Sequence, residues 1–114
     1  MLKIYHNPRC SKSRQGLALL EESGKEFDII KYLDNTPSYL ELAALIGKLG
    51  IKPIELVRKG ETIWKEKYKN ENFSDIELIE LMVQNPKLIE RPIVVLDNEA
   101  VIGRPPENIK KLLR

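Results

Sequence analysis

The order in which strand-like and helix-like patterns of apolar residues follow one another along the chain limits the fold more than any other feature of the sequence. Apolar and polar residues alternate over Leu2–His6, which is typical of a short strand. After Ser11 the apolar residues recur at helical spacing as far as Gly24, and residues 27–32 predict a second strand. Two strands joined by a helix favour a right-handed crossover with parallel strands. The first third of the chain therefore predicts a β-α-β unit.

The middle of the chain has the pattern of a helical block over about residues 38–84. Two capping boxes, each a serine followed three residues later by a glutamate, open apolar helices: Ser38 with Glu41, and Ser74 with Glu77. Gly50 and Asn85-Pro86 mark the ends of these helices. Residues 53–60 predict a short helix that begins at a proline, and the charged residues 65–72 predict a solvated face or loop.

Near the C-terminus the apolar residues again follow the pattern of strands. Residues 92–96 and 100–103 flank a short turn, which indicates an antiparallel hairpin, and Pro105-Pro106 opens a last predicted helix. The fold class expected is α/β, with a four-stranded mixed sheet built as β-α-β, then β-β-α, and a helical insertion between the halves. A chain of 114 residues suits one domain, so we expect a single domain over residues 1–114.

Composition excludes several classes of protein. With 42% hydrophobic and 32% charged residues, the chain is typical of a soluble globular protein. It has no apolar run near the ~20 residues of a membrane helix and no secretory signal at the N-terminus, so we expect a cytoplasmic protein without membrane contact. A net charge of +2 without a basic stripe predicts no nucleic-acid binding. No interface pattern is present, so a monomer is expected.

The single cysteine, Cys10, has the surroundings of a reactive thiol. It lies at the predicted start of a helix, where unpaired amides and the helix dipole favour thiolate, and the cations Arg9, Lys12 and Arg14 lie nearby in sequence. These features predict a pKa below the ordinary value of roughly 8.5. The alternative is a buried structural cysteine. We favour reactivity because the segment around Cys10 is polar and basic.

Residues near Cys10 in the sequence limit the reactions that its thiol can carry out. Ser13 stands where a Cys-x-x-Cys motif has its second cysteine, so it can hydrogen-bond a thiolate but cannot form a disulfide. One cysteine and one histidine also cannot assemble the usual zinc site, and we expect no metal. His6 is either a cation that lowers the pKa of Cys10 or a structural hydrogen-bonding residue. Gly16 occupies the position where a phosphatase loop requires arginine, which argues against that class.

Taken together, four segments resemble the glutaredoxin-coupled arsenate reductase (ArsC) family, closest to its YfgD-like branch, and the resemblance spans essentially the whole chain. The segments are "KIYHNPRCSKSR", "GIKPIELVRKGE", "NPKLIERPIVV" and "VIGRPPE". The resemblance implies a thioredoxin-like fold with a cis-proline at Pro92 and a nucleophile at Cys10. It further implies that His6 helps to lower the pKa of Cys10 and that Ser13 hydrogen-bonds the thiolate. The oxyanion-binding arginines it implies are Arg58, Arg91 and Arg104, and we expect Asn7 and Arg14 as structural residues near the site.

The same resemblance implies a reaction. Arsenate is a tetrahedral oxyanion, which guanidinium groups bind in bidentate fashion, and a thiolate attacking it needs nearby positive charge. With no resolving cysteine in the chain, the expected substrates and partners are arsenate, glutathione as co-substrate and glutaredoxin, without a bound cofactor. One alternative is a monothiol, glutathione-linked oxidoreductase without physiological arsenate activity. Another is an Spx-like regulator that binds RNA polymerase, although Ser13 removes the redox switch typical of those proteins.

Overall fold

One four-stranded mixed sheet organises the part of the chain that carries Cys10. The structure is a computed structural model that describes residues 1–113, and these divide into two compact units, residues 1–35 with 91–113 and residues 36–90. The elements of the first unit are β1 (Leu2–His6), α1 (Ser11–Glu22), β2 (Asp28–Lys31), β3 (Ile93–Leu96), β4 (Glu99–Ile102) and a 3₁₀ helix (Pro106–Lys111). The predicted β-α-β, β-β-α order is confirmed.

The register of the sheet brings three chain segments to one edge. The strand order is β2-β1-β3-β4, with β1 parallel to β2 and antiparallel to β3. Tyr5 pairs with Ile93, and Ile93 pairs with Ile102. The residues that follow β1, precede β3 and follow β4 therefore meet at the same edge of the sheet.

The core of this unit lies between the sheet, α1 and the 3₁₀ helix. Ile4 and Val94, which pair on the two central strands, are fully buried because they pack in one cluster with side chains of α1 and the 3₁₀ helix. A cluster of buried side chains unites the elements: Leu2, Ile4, Leu20, Val94, Ile109 and Leu112. Each large aliphatic side chain buried in this way contributes roughly 1.5–3 kcal/mol, so the cluster anchors α1 against the sheet.

The second unit contains the predicted helical insertion. Its elements are α2 (Tyr39–Leu49), α3 (Pro53–Leu56), a π-helical turn (Trp64–Tyr68), α4 (Asp75–Gln84) and a 3₁₀ turn (Pro86–Leu88). Both capping boxes are confirmed, and in each the serine hydroxyl accepts the glutamate N–H while the glutamate carboxylate accepts the serine N–H. Gly50 closes α2 in the left-handed conformation, with φ of 67°.

One helix prediction in this unit was wrong. The helix predicted over residues 53–60 ends at Leu56, because Val57 is extended and forms an isolated antiparallel bridge with Ile89. The solvated face predicted over residues 65–72 is confirmed, because all of these residues except the half-buried Tyr68 are exposed, and a π-helical turn spans Trp64–Tyr68. Its side-chain support comes from rings close in space, with Tyr68 and Phe73 centroids 5.8 Å apart in edge-to-face geometry.

The C-terminal elements are shorter and tighter than predicted. The turn between β3 and β4 comprises only Asp97 and Asn98, and Glu99, expected in the turn, pairs with Leu96. Asp97 has φ of 54°, which suits the short polar residues of two-residue hairpin loops. The last helix is 3₁₀ rather than α and ends at Lys111. Among residues 1–113, no helix has both the length and the apolar character needed to cross a membrane.

The capping box of α4 gives a stability prediction. Replacing Ser74 by alanine removes the acceptor for the Glu77 N–H and should lower the free energy of unfolding by about 1 kcal/mol. Urea unfolding measures the change. Ser74→Asp is the matched control, because aspartate also caps helices well and should retain most of the stability. Equal loss in both variants would contradict the capping account.

Candidate active site

Cys10 is the N-cap residue of α1. Its backbone is extended, with φ of −97° and ψ of 123°, and its N–H donates to the Asn7 carbonyl at 3.0 Å. No side chain caps this helix, and its first turn contains no acidic residue. The first amides of α1 are therefore available to the half-buried Cys10 side chain, as expected for a cysteine at a helix N-terminus.

The pKa of Cys10 is lowered from its ordinary range to about 7. Burial is the largest single influence and acts to raise the pKa, but hydrogen bonds outweigh it. These come from the main-chain amide of Ser13, the Arg91 side chain and the main-chain amide of Lys12, and the charge of Arg91 adds to them. About half of the thiol is therefore thiolate at pH 7.

The cation that contacts the Cys10 sulfur is Arg91, which lies far from Cys10 in the sequence. The side chains of Arg9, Lys12 and Arg14, which follow or precede Cys10 closely, are exposed. Arg14 instead donates from its guanidinium to the Pro8 carbonyl at 2.9 Å and so ties the loop to the helix. That contact is consistent with the structural role expected for Arg14.

Ser13 and Asn7 form a buried network behind the cysteine. The Ser13 hydroxyl oxygen accepts the Asn7 N–H at 2.9 Å and lies 2.6 Å from the Nδ1 atom of His6. The Asn7 side chain accepts the Arg9 N–H at 3.0 Å, which fixes the loop before Cys10. The resemblance implied a bond from the Ser13 hydroxyl to the thiolate. In the structure the hydroxyl is engaged with His6 and Asn7, and the main-chain amide of Ser13 serves the sulfur.

His6 is neutral at pH 7. Its pKa is lowered below 6.5, first because the ring is buried and then because the Lys31 and Arg14 cations disfavour a second positive charge, while a contact with Ser13 acts in the opposite direction. His6 is only 4% exposed and pairs with Lys31 across the sheet. Of the two roles left open for His6, hydrogen bonding therefore fits the structure better than a cationic role.

Arg91 and Pro92 directly precede β3, the strand that pairs with β1. Arg91 is 8% exposed, and the Arg91-Pro92 peptide bond is cis, as the resemblance implied. A second cis bond joins Arg104 to Pro105. The Arg104 guanidinium donates to the Arg91 carbonyl at 3.4 Å, so the two arginines are neighbours at this edge of the sheet.

Arg58 belongs to the second unit and follows the Val57 bridge. Its N–H donates to the Leu88 carbonyl at 2.7 Å, and its Nε atom lies 3.6 Å from a carboxylate oxygen of Glu61. One terminal nitrogen, Nη1, is buried and has no hydrogen-bond partner within residues 1–113. Buried polar atoms rarely stay unpaired in proteins, so this donor is suited to an anion.

Sequence reasoning missed two glycines that contact Pro92. Gly16 lies on α1 and Gly103 directly follows β4, and both are buried. The Gly103 N–H donates to the Pro92 carbonyl at 2.8 Å. A glycine inside a helical pattern is unfavourable for the helix, which signals a close approach of another segment, and Gly16 carries that signal.

Comparisons with known proteins give the family. The family model described as ArsC family matches residues 5–112. The chain belongs to the ArsC family. It is 46% identical over 114 residues to the protein YfgD of Escherichia coli (strain K12), covering 98% of this chain and 96% of YfgD. It is 42% identical over 114 residues to an arsenate reductase of Neisseria meningitidis, covering 98% of this chain and 97% of that one.

A solved structure supports the fold assignment. The arsenate reductase from Vibrio cholerae matches this ArsC chain with a TM-score of 0.91 and 46% identity, covering 96% of this chain and 95% of that one. The predicted thioredoxin-like fold with a four-stranded mixed sheet is confirmed. Residues 1–113 contain no group of three or more histidine, cysteine or acidic side chains placed to hold a metal ion.

Alkylation of Cys10 tests which cation serves the thiolate. In the unmodified ArsC chain the rate of alkylation should rise with pH with a midpoint at about 7. Arg91→Ala removes the cation at the sulfur, so the midpoint should move to higher pH. Arg9→Ala, which removes a cation adjacent in sequence but exposed, is the matched control and should leave the midpoint unchanged. Equal shifts in both variants would contradict the assignment.

The single histidine allows a direct measurement of charge at the site. NMR titration of the His6 ring should give a pKa below 6.5, so the ring is neutral at pH 7 in the folded protein. Because the chain has one histidine, the signal needs no assignment by mutation. A pKa above 7 that falls when Cys10 is replaced by serine would show a His6–Cys10 ion pair instead.

Proposed function

We propose that this chain is an arsenate reductase that takes its electrons from glutathione and glutaredoxin. The observation that carries the proposal is the Cys10 thiol, whose pKa is lowered to about 7 beside the Arg91 guanidinium, in a chain without a second cysteine. Relatives at 40–46% identity over nearly the full chain are named arsenate reductase or YfgD. A nucleophile set among cationic donors is the chemistry that attack on an oxyanion needs.

The first step forms a bond between Cys10 and arsenic. The thiolate attacks arsenate, an S–As bond forms, and one As–O bond breaks as an arsenate hydroxyl group takes a proton from solvent and leaves as water. Arsenic stays at oxidation state five. Arg91, which already offsets the thiolate charge, and Arg104, whose guanidinium lies beside the Arg91 carbonyl, are the proposed ligands of the arsenate oxygens in this unit. Arg58, with its unpaired Nη1, is the third proposed ligand.

The later steps bring in two electrons from outside the chain. Glutathione thiolate displaces a second oxygen from arsenic, again as water. A glutaredoxin thiolate then attacks the glutathione sulfur, an S–S bond forms, and the electron pair of the broken S–As bond reduces arsenic to oxidation state three. Water cleaves the remaining bond to Cys10, which releases arsenite and regenerates the thiol. Glutathione is thus a co-substrate, and no bound cofactor or metal takes part.

The proposed cellular compartment follows from the reductants that the reaction uses. Reduced glutathione and glutaredoxin act in the cytosol, where thiols are kept reduced, so we place the activity in the cytoplasm. Each step uses one copy of the chain, and a monomer suffices.

A second candidate is a monothiol oxidoreductase that exchanges thiols with glutathione mixed disulfides. The same lowered pKa of Cys10 favours it, because a thiol that titrates near ambient pH is well suited to attack a disulfide. This reaction needs no oxyanion ligands. The arginines therefore discriminate between the two candidates.

An assay coupled through glutaredoxin and glutathione reductase tests the proposal. Glutathione reductase consumes a reduced nicotinamide cofactor as it regenerates glutathione, and the oxidation of this cofactor is measured. The arsenate-dependent part of this oxidation should require the protein, and Cys10→Ser should abolish it. If the unmodified protein shows no arsenate-dependent rate but reduces a glutathione mixed disulfide, the second candidate replaces the first.

Arg58 separates substrate binding from thiol activation. As an oxyanion ligand, Arg58→Ala should lower kcat/KM for arsenate about 10²-fold while the pH midpoint of Cys10 alkylation stays unchanged. Arg58→Lys keeps the charge but loses the guanidinium fork, so it should recover only part of the rate. Lys59→Ala removes an exposed neighbouring cation and is the matched control. Equal loss of rate in the Arg58→Ala and Lys59→Ala variants would refute a specific role for Arg58.

A further inference from the structure

Gly16 lies where α1 approaches the Pro92 ring most closely. A Cβ atom at Gly16 would lie 2.8 Å from Pro92 Cγ and 3.0 Å from Ile109 Cδ1. Real Cβ atoms essentially never come within 3.0 Å of a heavy atom outside their own and adjacent residues, so any side chain here would move the proline, the isoleucine or the helix. The missing side chain is thus what permits this distance between α1 and Pro92.

Gly103 meets the same two residues from the end of β4. Its Cβ atom would lie 2.9 Å from Pro92 Cγ and 2.9 Å from Ile109 Cδ1. The backbone is not the reason for glycine at either site, because the glycines with left-handed backbones are Gly24 and Gly50. Close approach to the Pro92 ring, which is fully buried, is the feature that Gly16 and Gly103 share.

This packing determines where Arg91 lies. Arg91 precedes Pro92 directly, and its side chain hydrogen-bonds the Cys10 sulfur. Cys10 begins the helix that carries Gly16, so the distance between α1 and Pro92 also governs the distance between the sulfur and the guanidinium. A displacement of a few tenths of an ångström is enough to weaken a hydrogen bond of this kind.

We propose that Gly16 and Gly103 are positioning residues: without side chains at these two positions, the Pro92 ring fits between α1 and the end of β4 and holds Arg91 at the Cys10 sulfur. The inference concerns the thiol and not the substrate. It therefore stands independently of the arsenate reductase proposal and is tested without arsenate.

Alkylation of Cys10 measures the effect. Gly16→Ala and Gly103→Ala should each move the pH midpoint of alkylation upward and lower the rate at pH 6 about threefold to tenfold, because less thiolate is present. The rate at high pH, where the thiol is fully ionised, should change little. The other groups that act on the sulfur, the amides of Lys12 and Ser13, remain in both variants.

Two controls separate positioning from general disruption. Gly47→Ala, on α2, places a methyl group where no atom of the described residues lies within 4 Å beyond its chain neighbours and the adjacent backbone of its own helix, and it should leave the midpoint unchanged. In the Arg91→Ala background, Gly16→Ala should cause no further shift, because the group that it displaces is already gone. An additive shift in that background would overturn the proposal, since it would show an effect that does not pass through Arg91.

A third variant keeps the test decisive if Gly16→Ala does not fold. Gly16→Ala combined with Ile109→Val adds one methyl group and removes the Cδ1 atom that it would meet, so core volume is conserved. The contact with Pro92 Cγ remains, and the midpoint of alkylation should still move upward. An unchanged midpoint in this folded double variant, alongside a shifted one in Arg91→Ala, would overturn the proposal.

Discussion

The contact between the Arg91 guanidinium and the Cys10 sulfur is the interaction on which the chemistry of this site depends. Burial alone would raise the pKa of this thiol, and a neutral thiol is a poor nucleophile. The guanidinium and the first amides of α1 reverse that effect and leave a thiolate at neutral pH. The sheet makes the contact because the end of β1 and the start of β3 are neighbours, with Tyr5 paired to Ile93.

A layer of neutral groups supports this contact from behind. The Ser13 hydroxyl joins His6 to the Asn7 amide, so the loop that carries Cys10 is fixed on the strand from which it emerges. Because the pKa of His6 is lowered, this layer adds no charge that would compete with Arg91. Positive charge in the site thus comes from arginines, which remain charged throughout the pH range in which Cys10 titrates.

The sequence predicted well whatever depends on local patterns. The strand Leu2–His6 and both serine-glutamate capping boxes follow from residues close together in the chain, and the structure confirms them. The helix after Leu56 was mispredicted because Val57 pairs with Ile89, more than thirty residues away, and no local pattern reports such a partner.

In the site, too, features set by neighbouring residues were predictable from the sequence, and features set by contacts between distant residues were not. Cys10 at a helix start was predictable, and the resemblance implied distant arginines near it, but the three neighbouring cations that were also expected to lower its pKa have exposed side chains. Sequence proximity says little about which charge reaches a sulfur atom. The protonation of His6 likewise depends on burial and on Lys31 across the sheet, which only the folded structure specifies.

The proposed function requires that arsenate reaches the Cys10 thiolate at this site. Alkylation of Cys10 at pH 7, with increasing arsenate and no reductant, measures this most directly when chloride holds the ionic strength constant. We predict that arsenate slows alkylation in a saturable manner and that Arg104→Ala weakens this protection. An alkylation rate that does not change with arsenate, up to concentrations that saturate the coupled assay, would contradict the claim.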